Sequence, residues 1–112
     1  MYKIIFCSRR AQEEIEDLSD GIRAGCKRLM LMVRDYGPQL PMPYGRQLGG
    51  GVWELRGRGR EGIGRVMYAT VIKEEILILR TFVKKTQQTP HHELELAQKR
   101  LKEWIHAQNQ EN

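Results

Sequence analysis

The sequence predicts a small α+β domain: a mostly antiparallel four-stranded sheet with helices packed on one face, in the order β-α-α-β-β-β-α. Three observations predict it. Short runs rich in β-branched and aromatic residues alternate with amphipathic helical stripes. The last three strand-like runs follow one another with only tight turns between them, which makes a meander rather than a set of crossovers. The 112 residues, 40% hydrophobic and 29% charged, suffice for one core and not for two. One domain is expected over residues 1–108, with 109–112 as a frayed tail.

The elements follow in order. Tyr2–Cys7 reads as a first strand. Ser8 is placed to cap a helix whose apolar stripe is Ala11, Ile15, Leu18 and Ile22, with Glu13, Glu14, Glu16 and Asp17 read as a solvated opposite face. Ser19, Asp20 and Gly21 interrupt it, with Asp20 able to cap a second helix from about 22 to 36. Its stripe is Ile22, Cys26, Leu29, Met30, Val33 and Tyr36, and Gly37 followed by Pro38 ends it. Residues 40–45 form a proline-broken loop, and Gly49, Gly50 and Gly51 make a bend before the strand 52–56. There Trp53 and Leu55 share one face, and Val52, Glu54 and Arg56 the other. Residues 57–64 read as a flexible basic hairpin loop, 65–72 as the third strand and 76–83 as the fourth. The fourth is apolar on both faces, hence central. Thr89 as cap and Pro90 as first helical residue open a last helix with the stripe Leu94, Ala97, Leu101, Trp104 and Ile105.

Composition excludes several classes. No apolar run approaches the roughly 18 residues that span a bilayer. The N-terminal run is too short and strand-like for a signal peptide. Cys7 and Cys26 lack metal-ligand spacing and read as reduced core thiols, so a cytoplasmic protein is expected. Adjacent His91 and His92 point to different sides of a helix and make a poor metal pair. Gly57, Gly59 and Gly62 match a dinucleotide-like spacing, yet no helix follows them. No metal and no cofactor is called for.

The charge is informative because it is localised. The net charge is +5, and residues 46–85 hold nine Lys and Arg against four Asp and Glu. The basic residues there are Arg46, Arg56, Arg58, Arg60, Arg65, Lys73, Arg80, Lys84 and Lys85. In an antiparallel meander Arg56, Arg65, Arg80, Lys84 and Lys85 fall at one end of the sheet, with Arg58 and Arg60 on the adjoining hairpin and Tyr68 one pleat inward from Arg65. Convergent basic residues beside an aromatic are the footprint of a polyanion binder, so Arg46, Arg58, Arg60, Tyr68 and Arg80 are candidate polyanion-binding residues.

Three segments carry a family resemblance: 48–56 (LGGGVWELR), Arg65 to Tyr68, and 82–90 (FVKKTQQTP). In order and content they resemble the phage-derived branch of the RelE/HigB toxin superfamily. The resemblance implies a RelE-like fold and the toxin half of a type II toxin–antitoxin pair. It implies an mRNA interferase acting at the ribosome and an Xre/HigA-type helix-turn-helix antitoxin, operator DNA being bound only through the complex. Residue by residue, it places catalytic roles on Arg56, Arg65, Lys84 and Lys85. RelE-type lysines on the preceding strand are replaced by Val52 and Glu54, and a RelE-type C-terminal tyrosine by His91 or His92, of which His92 is the candidate acid or base. The same fold also carries ParE-like gyrase poisons, and a non-catalytic nucleic-acid-binding subunit is a further alternative.

Overall fold

The computed structural model describes residues 2–40, 44–71, 74–83 and 89–110. The elements are β1 (Lys3–Phe6), α1 (Arg9–Glu16), α2 (Asp20–Tyr36), β2 (Gly45–Gly49), β3 (Val52–Gly59), β4 (Gly62–Thr70), β5 (Glu75–Val83) and α3 (His91–Gln110). The strands form one mixed sheet in the order β1-β5-β4-β3-β2, with β1 parallel to β5 and the other pairs antiparallel.

The helix boundaries follow local chemistry. The Ser8 side chain accepts a hydrogen bond from the Ala11 amide at 3.1 Å, capping α1. Asp20 is the first residue of α2 rather than its cap, and its carboxylate pairs with Arg23 at 2.6 Å. Gly37, with φ of 108°, ends α2 in a conformation that favours glycine. α3 starts one residue later than expected. The Pro90 carbonyl accepts from the Glu93 and Leu94 amides, and the Thr89 hydroxyl is engaged elsewhere. α3 also runs through Gln110, into the segment expected as a tail.

Two further differences from the sequence expectation matter for function. Among the described residues the sheet has five strands, not four. The extra strand β2 carries Arg46, Gln47 and Leu48 between glycines, too little apolar pattern to signal a strand by itself. It exists through its pairing, Arg46 opposite Glu54 and Gln47 opposite Trp53. The helices also cover both faces of the sheet rather than one. Ile15, Leu18, Ile22, Cys26, Leu29 and Val33 of the α1–α2 segment bury one face with Leu55, Val66, Tyr68, Ile76 and Ile78. α3 covers the other, where Ala97 joins Val52, Met67, Ala69, Leu77 and Leu79, flanked by Leu94, Leu101 and Trp104. Each fully buried aliphatic side chain contributes about 1.5–3 kcal/mol. The two-sided apolar pattern of β5 is the sequence counterpart of this double cover.

The segment expected as a flexible loop is paired strand. The β3–β4 ladder continues through Gly57 opposite Gly64 to Gly59 opposite Gly62. Its glycines admit the α2 backbone. A Cβ on Gly59 would lie 2.3 Å from the Ile22 nitrogen, and one on Gly57 2.5 Å from the Cys26 nitrogen. From the helix side, a Cβ on Gly25 would lie 2.3 Å from the Arg58 carbonyl oxygen. Both cysteines are free, and burial pushes the Cys26 thiol up to about 11.

Candidate nucleic-acid interface

Register alone builds the site. On the α3 face, Arg46, Glu54, Met67 and Arg80 form one cross-strand row. The next row on that face holds Arg56, Arg65 and Phe82. Arg56 and Arg65 are therefore direct cross-strand neighbours, a like-charge pairing that is unfavourable unless something offsets it.

Glu54 offsets it. Its carboxylate is fully buried and takes Arg65 Nη1 at 2.9 Å, Arg46 Nε at 3.4 Å and Arg56 Nε at 3.8 Å, all on Oε1. The other oxygen accepts the Thr89 hydroxyl at 2.6 Å, and Thr89 in turn accepts from Arg46 Nη2 at 3.0 Å. The start of α3 is thereby tied to the cluster. Exposure is graded: the Arg65 side chain is 2% exposed, Arg56 17% and Arg46 33%. Arg65 Nε is buried without a hydrogen-bond partner among the described residues. Burial, then the neighbouring Arg65 charge, pull the Arg56 pKa below its ordinary value, while Glu54 opposes that shift. Three guanidinium groups sharing one carboxylate leave a positive site whose fork-shaped donors match phosphate oxygens.

A second charged network lies nearby and is organised differently. The register slips between Met67 and Tyr68, leaving a bulge in β5 around Leu79. Arg100 of α3 donates to the Leu79 carbonyl at 2.8 Å, and the Thr81 amide donates to Glu14 of α1 at 3.2 Å. Glu14 also binds Arg100 through both oxygens, at 2.9 and 3.0 Å, and Arg80 at 2.7 Å. Arg80 reaches Glu93 through Nε at 2.9 Å and Nη2 at 3.2 Å, and its guanidinium lies 5.7 Å from the Phe82 ring centre. Burial alone would raise the Glu14 pKa, but the hydrogen bonds from Arg100 and the Thr81 amide, with the Arg80 charge, lower it. Burial would lower the Arg80 pKa, but its bonds to Glu93 and the charge of Glu14 raise it.

The sequence matches the family described as phage-derived protein Gp49-like (DUF891) over residues 13–102, a span that contains both networks. The chain belongs to the Gp49-like family. That family lies within the RelE/HigB-like toxin superfamily. No curated protein matches the chain.

In this Gp49-like protein the residues singled out from sequence divide into groups. Arg46, Arg56 and Arg65 converge on Glu54, and Arg80, at the far end of the Arg46–Glu54 row, has its charge met by Glu14 and Glu93. Arg58, one pleat beyond Arg56, and Arg60, in the turn between β3 and β4, are both exposed. His92 is exposed on the first turn of α3, between the docked residues Thr89 and Glu93. Lys84 and Lys85 lie outside the described residues. Tyr68 is a correction. It is fully buried on the α1–α2 face and donates its hydroxyl proton to the Pro38 carbonyl, so no ring face is left for a base. It stands three positions after Arg65, and an odd offset on a strand puts two side chains on opposite faces.

Sequence reasoning missed two residues. Glu14 belongs to a run read as solvated, yet its side chain is 4% exposed. Glu54 registered only as a missing lysine. Its signal was present in the alternation that sets it beside Arg56, but its role depends on Arg46 arriving on β2.

Proposed function

We propose that this protein is the toxin of a type II toxin–antitoxin pair and acts as a ribosome-dependent mRNA interferase. The observation that carries the reading is the cluster of Arg46, Arg56 and Arg65 on the single buried carboxylate of Glu54, in a chain of this superfamily. In the proposed reaction the ribose 2′-oxygen attacks the adjacent phosphorus while a base takes its proton. The bond to the 5′-oxygen breaks as an acid protonates it, leaving a cyclic phosphate and a free 5′-hydroxyl. Arg56, the more accessible of the cross-strand pair, holds the phosphate and the charge that grows on it; Arg65 behind it fixes the field. Lys84, Lys85 and His92 are the proposed proton carriers, since amine and imidazole nitrogens can each pass a proton to or from a reacting oxygen. Exposed Arg58 and Arg60 extend the phosphate track.

The proposed partner is an Xre/HigA-type helix-turn-helix antitoxin, with operator DNA bound through the complex. The proposed location is the cytoplasm, where the translating ribosome is; no helix among the described residues is long and apolar enough to cross a membrane. The test is a translation extract programmed with one defined message. Message cleaved only when ribosomes engage it supports the reading. Intact message together with loss of gyrase supercoiling would replace it with gyrase poisoning.

A further inference from the structure

A cleft of about 460 Å³ opens between α2 and the β3–β4 hairpin, contiguous with the cluster because Arg56 lines it. Its volume is within the ~300–1,000 Å³ usual for sites that enclose a small ligand. Leu29, Met32 and Ile63 give it apolar lining, and Tyr44, 46% exposed, stands among them. Arg28 of α2 and Arg58 of β3 complete it.

These two arginines differ from most others in the chain. Arg9, Arg10, Arg23, Arg34, Arg46, Arg56, Arg65, Arg80 and Arg100 each have a carboxylate within 4 Å. Among the described residues, Arg28, Arg58 and Arg60 have none. Two of the three therefore meet at one cleft, beside an exposed aromatic ring and an apolar surface, and both are exposed. A flat apolar group joined to an anion satisfies that combination. A nucleotide of single-stranded RNA is such a group: its base stacks on an aromatic face and its phosphate pairs with guanidinium.

We propose that this cleft binds the nucleotide next to the scissile phosphate, with Tyr44 stacking on the base and Arg28 and Arg58 holding the flanking phosphate. The proposal rests on the RNA-cleaving reading above and adds Arg28 and Tyr44 to its site. Arg56 is the joint between the two parts, since it lines the cleft and is ion-paired to Glu54 in the cluster.

The test compares full-length wild type with Tyr44→Ala, Tyr44→Phe, Arg28→Glu and Arg56→Ala. Binding of a fluorescein-labelled single-stranded RNA is read by anisotropy, and message cleavage in a translation extract is followed against message concentration. Tyr44→Ala and Arg28→Glu are each expected to weaken RNA binding about tenfold. They should raise the half-saturating message concentration and preserve cleavage at saturation, and Tyr44→Phe should bind as wild type does. Wild-type binding by both Tyr44→Ala and Arg28→Glu, with Arg56→Ala still impaired, overturns the cleft and spares the cluster. Unchanged RNA binding with weakened inhibition by antitoxin overturns it in favour of an acidic peptide. A wild-type protein that neither binds nor cuts RNA removes both readings.

Discussion

The two arginine–carboxylate networks on this sheet use the same residue types for opposite ends. Around Glu14, two largely buried arginines meet two buried carboxylates, and further donors and acceptors go to the Leu79 carbonyl and the Thr81 amide of β5. Exposed Arg10 adds a contact to Glu14 at 3.7 Å and brings its own carboxylate, Glu13, at 3.8 Å. Around Glu54, three arginines meet one carboxylate, and Arg65 Nε finds no partner among the described residues. The first network is matched, so its charge is spent within the fold. The second, among the described residues, has more arginines than carboxylates, so part of its field faces outward. Stoichiometry of charge, rather than the presence of arginine, separates a buried strut from the proposed phosphate site.

Substitutions that remove one side of each network sharpen this contrast. The largest expected effect is on stability. Glu14→Ala leaves Arg100 without its carboxylate and the Thr81 amide without its acceptor, and should cost about 3–5 kcal/mol, read from urea unfolding. Next comes activity. Arg56→Ala should lower the cleavage rate about 10²–10³-fold with little change in melting temperature. Arg65→Ala should lose both activity and stability, because it removes the shortest of the three arginine contacts to the buried Glu54 carboxylate and leaves those at 3.4 and 3.8 Å. A wild-type melting temperature for Arg65→Ala would show that Glu54 does not depend on it.

Acid sensitivity separates the networks again, with a smaller effect. The Glu14 pKa is lowered on folding from an ordinary value of 4.5, so the unfolded chain binds the proton more readily. The resulting stability is fully present above about pH 4.5 and is lost as pH falls through the lower folded value. Glu14→Gln should flatten that part of the stability profile; an unchanged acid limb would mean other carboxylates dominate. The smallest effect belongs to Tyr68. Tyr68→Phe should cost about 1 kcal/mol through the lost bond to the Pro38 carbonyl and leave RNA binding unaltered. Weakened RNA binding would return this residue to the interface.

Much of the architecture was legible because apolar periodicity reports burial directly. The helical hairpin, the three-strand meander and the gathering of Arg56 and Arg65 at one sheet end all follow from it. What escaped was whatever depends on partners distant in sequence. β2 is a strand only because β3 pairs with it. Glu14 is buried against Arg80 and Thr81 of β5 and Arg100 of α3, all far from it in sequence. Gly57 and Gly59 read as flexibility, although their lack of a side chain serves the close approach of α2. Tyr68 was misassigned by proximity in sequence, where counting alternate faces would have placed it in the core.

The central contrast is tested most directly by cleavage rate per folded molecule in a translation extract, for Arg56→Ala and Arg100→Ala side by side, with the folded fraction of each fixed by circular dichroism. The expected result is a loss of at least about 10²-fold for Arg56→Ala and a wild-type rate per folded molecule for Arg100→Ala. Equal loss in both, or wild-type cleavage by Arg56→Ala, would contradict the division of the two networks into a phosphate site and a structural strut.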